Sequence, residues 1–351
     1  MRVVVIGATG NVGTSVMDCL VADTSVEEIV AVARRRPETT WPRTRFVEAD
    51  VSCDQLEPIL AGADAVVHLA WLIQPSRDRA MTRRVNVEGS HRVFEAAAAA
   101  GVPALVYASS VGAYSPGPKS RAVDESWPTE GISSSFYSAD KAAVERLLDR
   151  FETVNPSIRV VRLRPSLIFK REAATGVRRL FIGPLLPPAV VRPELLPVLP
   201  LPRGLRFQAV HSADVGEAYR LAVVSGVRGA FNVAAEPVLD AGVLGRLFSA
   251  RPLEIAPGLF RRLVSATWKL HLQPTPAGWL DMALGVPLLD CTRARNDLGW
   301  TPRRTSVEAL EELLAGLREG AELPTPPLAL SSSGRGRWRE LATGVGTRSG
   351  L

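Results

Sequence analysis

The sequence predicts an α/β fold, a doubly wound parallel sheet (Rossmann type) with a smaller C-terminal substrate lobe, on three observations. The apolar run Val3 to Ile6 breaks into a glycine-rich turn at Gly7, Gly10 and Gly13 and continues as helical material through Leu20, the strand–turn–helix order of a nucleotide-binding unit. Short apolar runs then alternate with helical segments up to Pro165, as in a parallel sheet covered on both faces. Finally, Tyr137 and Lys141 open an amphipathic segment and lie one turn apart on the same helix face.

Each element follows in order. Val3 to Ile6, Ile29 to Ala33, Arg43 to Val47, Ala65 to Leu69 and Ala104 to Ala108 read as strands, with helical material from Val85 to Ala100 before the last of them. A loop begins at Ser109-Ser110, and a helix runs from Tyr137 through Phe151 with Ala142, Ala143, Leu147 and Leu148 as apolar surface. Ile158 to Leu163 is a further strand ending at Arg164-Pro165, Phe231 to Ala234 a late one, and Val307 to Leu317 a helix with leucines at near-helical spacing. The predicted organisation is a dinucleotide-binding core over 1–165, a substrate lobe interleaved with late core elements over 166–320, and a mobile tail over 321–351. Between Pro184 and Pro202, seven prolines set among leucines and valines exclude a regular helix and suggest either a lid or packing across the lobe. The stretch Leu259 to Leu289 mixes Arg261, Arg262, Lys269 and His271 with Trp268, Trp279 and Met282; it can pack as part of the lobe, border an apolar pocket, or lie on a membrane surface.

Composition narrows the function. The chain has 351 residues with 42 basic and 36 acidic side chains, a formal balance of +6 that reflects arginine usage rather than a nucleic-acid surface. Cys19, Cys53 and Cys291 are too few and too scattered for a disulfide scaffold or a metal site, which fits a reducing cytoplasm. The apolar start is cut by the glycine turn rather than followed by a processing pattern. No run reaches the roughly 18 apolar residues of a membrane span.

In Gly7-Ala8-Thr9-Gly10-Asn11-Val12-Gly13 the missing Cβ atoms permit a tight turn and let backbone approach a pyrophosphate at the following helix N-terminus. Ala33 stands where an acidic residue would bind the adenosine ribose of NAD, and Arg34, Arg35 and Arg36 follow. Those guanidinium groups suit a ribose 2′-phosphate and favour NADP, with NAD possible. Asp50 and Val51 are placed to flank the adenine, and His68, Leu69 and Ala70 to border the cofactor. An ammonium at Lys141 would favour ionisation of the Tyr137 phenol.

With Asn86-Val87-Glu88-Gly89, Val210 to Val215 and Leu298-Gly299-Trp300 added, the sequence resembles the extended short-chain dehydrogenase/reductase superfamily, in its NAD-dependent epimerase/dehydratase branch, over most of residues 1 to 318. The resemblance implies Tyr137 as general acid or base and Lys141 as the residue that binds nicotinamide ribose and lowers the phenol pKa. It further implies Ser110 as the holder of the substrate oxygen, with Ser109 as rival, and Asn86 as support for helix or proton-relay geometry. Homodimerisation through helices is also implied. His211 and Asp214 lack the nucleophile elbow a hydrolase needs. The loop from Thr129 to Phe136 lacks the Asp-Glu pair of many nucleotide-sugar dehydratases. The apolar Pro-rich segment and Trp-containing lobe favour oxidoreduction of a fairly hydrophobic carbonyl or alcohol. A nucleotide-sugar epimerase, with Arg192, Arg203 and Arg206 on the diphosphate, and a noncatalytic dinucleotide sensor are the alternatives.

Overall fold

A computed structural model of the chain describes residues 1–74, 77–182 and 197–329. In chain order its first half comprises β1 (Arg2–Ile6), α1 (Asn11–Ala22), β2 (Glu28–Ala33), β3 (Thr44–Glu48), α2 (Glu57–Leu60), β4 (Ala65–His68), α3 (Arg79–Arg83), α4 (Gly89–Ala99), β5 (Ala104–Ala108), β6 (Ala122–Val123), α5 (Phe136–Val154) and β7 (Arg159–Pro165). There follow β8 (Leu167–Phe169), α6 (Ala174–Val177), β9 (Val198–Pro202), β10 (Ala209–His211), α7 (Ser212–Val224), β11 (Gly229–Val233), α8 (Ala241–Leu247), β12 (Arg251–Ile255), α9 (Pro257–Lys269), α10 (Gly278–Gly285), β13 (Leu288–Leu289), α11 (Thr292–Asn296) and α12 (Ser306–Glu319).

Seven strands form one sheet in the order β11-β7-β5-β4-β1-β2-β3, every neighbouring pair parallel. The strands alternate sides with period two. Val3, Val5, Ile29, Ala31, Val67 and Val106 join Val16, Leu20, Val215 and Ala222 of α1 and α7 in one core layer. Val4, Ile6, Val30, Val66 and Leu105 join Phe94 and Ala97 of α4 and Val144, Leu148 and Phe151 of α5 in the other. Burial on both faces explains the unbroken apolar strands. The crossover between β1 and β4 is the topological switch, which puts the ligand crevice at the carboxyl ends of these strands, over the glycine turn.

Chain beyond β7 re-enters this core, since β11 is an edge strand of the main sheet and α7 packs along α1. Gly216 is required there, because a Cβ on it would lie 2.6 Å from the Ser15 carbonyl oxygen. The separate lobe has its own cluster, in which Leu310, Leu313, Leu314 and Leu317 of α12 meet Leu201, Leu239 and Leu244. Helix α12 starts at a capping box of Thr305 and Glu308 and stops at Gly320 in the left-handed conformation.

Two expectations need correction. Helical structure begins at Arg79, before Val85, and passes through a π-helical turn at Arg84–Glu88 that faces Asn86 inward. The start of the supposed mobile tail is packed: Thr325 is 1% and Leu328 4% exposed, and Glu38 N–H donates to the Pro324 carbonyl. Residues 330–351 lie outside the described residues. The Pro-rich stretch is outside them over 183–196, including Arg192, while its end forms β9, paired in parallel with β12.

Candidate active site

Helix α5 begins where Ser135 caps it, its hydroxyl accepting from Ser138 N–H. Ser138 in turn donates to the Gly112 carbonyl and accepts from Ile132 N–H at 2.6 Å, so the first turn is fastened to the loop after β5. That fastening places Tyr137 over Ser110 to Gly112. A methyl on Gly112 would come within 2.9 Å of Tyr137 Cε1 and 3.0 Å of Met282 Sδ.

Ser110 accepts from Gly112 N–H at 3.0 Å through Oγ, and the Tyr137 ring lies against the same turn at Gly112, where the Ser110 hydroxyl pulls the phenol pKa down. Ser109 points elsewhere, donating to the Glu145 carboxylate. Of the two serines, Ser110 is therefore the one brought to the tyrosine. Aromatic rings wall the phenol: Trp279 lies 4.9 Å from the Tyr137 ring centre, and Trp71 lies 5.8 Å away edge-on. Phe136 and Phe181 abut Trp279 edge-on.

Lys141 is 3% exposed, with Nζ donating to the Ala108 carbonyl at 2.5 Å and lying 3.5 Å from the Trp71 ring centre. Burial holds its pKa well below the usual lysine value, with Glu145 and Asp140 pulling upward. The phenol of Tyr137 is pushed up by burial, with the Ser110 hydroxyl pulling it down. Lys141 Nζ is held mainly by the Ala108 carbonyl and the Trp71 ring and lies 5.9 Å from the Tyr137 ring centre, while burial is the largest influence on the phenol.

Asn86 is buried and spends its amide on Leu72, accepting from its N–H at 2.7 Å and donating to its carbonyl at 2.8 Å. It shapes the loop that delivers Trp71. His68 is buried rather than bordering a crevice; Nε2 meets Ser90 Oγ at 3.0 Å, its ring packs on Phe94 and Tyr107, and burial lowers its pKa to about 3.

The glycine turn has the form a dinucleotide needs. Gly7 has φ +93°, and a Cβ there would lie 2.7 Å from Ala70 N, so the turn touches the Leu69-Ala70 loop. A Cβ on Gly13 would lie 2.2 Å from the Gly7 carbonyl oxygen. Thr9 is buried, and Asn11 and Val12 begin α1, whose first turn no side chain caps. Asn11 donates to the Ile168 carbonyl at 3.2 Å, while its buried Oδ1 has no partner. A narrow cradle with uncapped helix amides fits a pyrophosphate.

At the end of β2, Arg34 is half-buried and Arg35 and Arg36 are exposed. Arg36 lies over Phe46, and none of the three forms an ion pair among the described residues. Asp50 is committed to its own turn, accepting from Ser52 N–H and Oγ–H at 2.8 and 2.6 Å, and Val51 packs under Gly89. His211 caps α7 through Nδ1 and meets Glu312 at 2.9 Å, while Asp214 accepts from Arg304 N–H. Neither belongs to a nucleophile triad. No cluster with metal-ligating composition occurs among the described residues.

The sequence reading missed Glu145, one turn beyond Lys141. It is fully buried and accepts from Ser109, from Arg162 at 2.9 Å, and from Arg164 at 2.9 and 3.0 Å. The available signal was Arg162 and Arg164 inside an apolar strand, because two guanidinium groups on one buried strand face require a carboxylate.

Comparison with known proteins extends the reading. The profile of the NAD dependent epimerase/dehydratase family matches residues 3–234. An uncharacterized protein of Mycobacterium tuberculosis is 27% identical over 326 residues, covering 91% of this chain and 30% of that protein, so the chain spans under a third of that relative's length. A UDP-glucose 4-epimerase of Neisseria gonorrhoeae is 26% identical, with 89% of this chain and 96% of the epimerase covered. Among solved structures, the dTDP-glucose 4,6-dehydratase DesIV of Streptomyces venezuelae, with NAD and TYD bound, superposes with a TM-score of 0.68 at 20% identity, over 92% of this chain and 99% of DesIV.

Proposed function

This chain belongs to the NAD dependent epimerase/dehydratase family, and from that premise we propose that it is an NADP-dependent oxidoreductase acting on a carbonyl or alcohol of a fairly hydrophobic small molecule. The observation that carries the reading is the Tyr137 phenol set against the turn of Ser110 to Gly112 and within the rings of Trp71 and Trp279. Such a wall suits an apolar substrate and excludes water, while the two hydroxyls are the polar groups that orient one oxygen.

The glycine turn would hold the pyrophosphate, Arg34 and Arg35 the ribose 2′-phosphate, and Lys141 the nicotinamide ribose; NAD remains the alternative cofactor. When bound, the nicotinamide supplies or accepts the hydride. The chain's own part is proton management. Ser110, fixed through Gly112 N–H, donates to the substrate oxygen. Tyr137, whose burial keeps the phenol protonated, gives its proton to that oxygen as alkoxide character develops.

A nucleotide sugar is the second reading, supported by Lys119 and Arg206. Lys119 Nζ donates to the Arg206 and Ala283 carbonyls, both at 2.9 Å, and Arg206 donates to the Lys119 carbonyl at 2.7 Å. Neither cation has a carboxylate partner among the described residues, and burial, then the Arg206 charge, lowers Lys119 to about 8. The Neisseria gonorrhoeae relative has this kind of substrate by name. A panel of hydrophobic ketones and alcohols beside UDP- and dTDP-sugars separates the two readings. Net oxidation or reduction of cofactor with the hydrophobic compounds is expected. Sugar inversion without net cofactor change would establish the second reading instead, and bound cofactor with no turnover in either panel would indicate a sensor.

A further inference from the structure

Helix α9 contains no buried residue. Leu259, Leu263 and Leu270 are 54%, 53% and 68% exposed, and with Ala266 they repeat at a spacing that aligns them in one stripe along the helix. Leu253 on β12 and Leu272 just past α9 are also exposed. The other face is attached to the protein: Phe260, Val264, Thr267 and Trp268 are half-buried, and Arg77 stacks on Trp268 at 4.2 Å. The leucine stripe is therefore presented outward by a helix whose back is held.

Charge identifies what covers it. From Ile255 to Leu280 the sequence contains Arg261, Arg262, Lys269 and His271 and no Asp or Glu. Arg261 pairs with Asp281 at 2.8 Å, whereas Arg262 and Lys269 are exposed and have no carboxylate partner among the described residues. Leucines edged by free cations match an interface that is apolar below and anionic at its surface. No helix among the described residues is long and apolar enough to cross a membrane.

We propose that α9 is an interfacial anchor, its leucine stripe lying in the headgroup layer of an anionic lipid bilayer with Arg262 and Lys269 on the lipid phosphates. This association does not depend on which reaction the site performs. The test is co-sedimentation of the full chain with phosphatidylcholine vesicles with and without phosphatidylglycerol. Binding is expected only with the anionic lipid. Each basic residue near such a surface is worth about a factor of 5 in partitioning, so Arg262→Gln with Lys269→Gln lowers it roughly 30-fold and high salt does the same. Leu259→Ser with Leu263→Ser abolishes binding while the melting temperature and dinucleotide binding stay unchanged. Failure to bind either vesicle, equal binding to both, or a concentration-dependent dimer dispersed by the leucine variant would each overturn the proposal, the last by making a second copy the occupant.

Discussion

Replacing Glu145 by Gln perturbs the point where the sheet and the candidate site are joined. Glu145 is fully buried and faces Arg162 and Arg164, which are 6% and 5% exposed. Arg162 has further partners in Asp149 at 2.7 Å and Glu152, but Arg164 has no other anion among the described residues, its remaining bonds going to Tyr114 OH and the Glu125 carbonyl. Burial would raise the Glu145 pKa; the charges of Arg164 and Arg162, with hydrogen bonds from Arg164 and Ser109, overcome it and lower the value from 4.5 to about 2. Such a shift corresponds to stabilisation on the order of 3 kcal/mol, the same order as the roughly 3–5 kcal/mol cost of unpairing a buried charge. Because the folded pKa is depressed, the contribution is complete above the unfolded value near 4.5 and fades as pH falls toward 2. Urea unfolding followed by tryptophan fluorescence should therefore show Glu145→Gln less stable by about 3 kcal/mol near neutrality, with the gap closing in acid. A gap under about 0.5 kcal/mol at neutral pH, or one that widens in acid, would refute the electrostatic reasoning.

Tyr137→Phe should fold and bind dinucleotide normally while losing about 10²–10⁴ in turnover, checked by steady-state kinetics beside a binding titration. Ser110→Ala should lose turnover in the same assay, whereas Ser109→Ala should act chiefly on stability through Glu145. Arg34→Ala with Arg35→Ala should weaken NADPH binding about 10–100-fold and leave NADH nearly unchanged; equal losses in calorimetry would remove the 2′-phosphate assignment. Lys170 is 5% exposed and donates to Thr14 and Ser15 at 2.6 and 3.3 Å, and burial lowers its pKa from 10.5 to about 8. The folded chain sheds that proton first, so Lys170 makes stability rise with pH between about 8 and 10.5. In thermal melts Lys170→Met should flatten that rise.

What the sequence revealed and what it concealed divide along the range of the interactions. The glycine turn, the buried strands and the Tyr137/Lys141 face are local patterns of period two or 3.6, and each could be read from neighbouring residues. Where Lys141 Nζ goes depends on Trp71, delivered by a loop that Asn86 ties from 14 residues away, and nothing in the spacing of Tyr137 and Lys141 specifies it. The ring of Trp279 reaches Tyr137 from a helix far along the chain for the same reason. Strands β9 and β12 escaped notice because Pro200, Pro202 and Pro252 argue against strands; a two-stranded ribbon tolerates them, having no central strand. Asp50 and His68 lie in motifs that the resemblance ties to the cofactor, yet their side chains are committed to a turn and to the core.

The central claim is that Tyr137, next to the turn that carries Ser110, protonates the oxygen as hydride transfer to a carbonyl completes. Single-turnover reaction with NADPH deuterated at the nicotinamide C4, followed by mass analysis of the product alcohol, addresses it most directly. Deuterium on the carbinol carbon with wild type, and at least about a hundredfold slower transfer with Tyr137→Phe, is the predicted result. Deuterium transfer at an undiminished rate in the variant, or product carrying no deuterium, would contradict it.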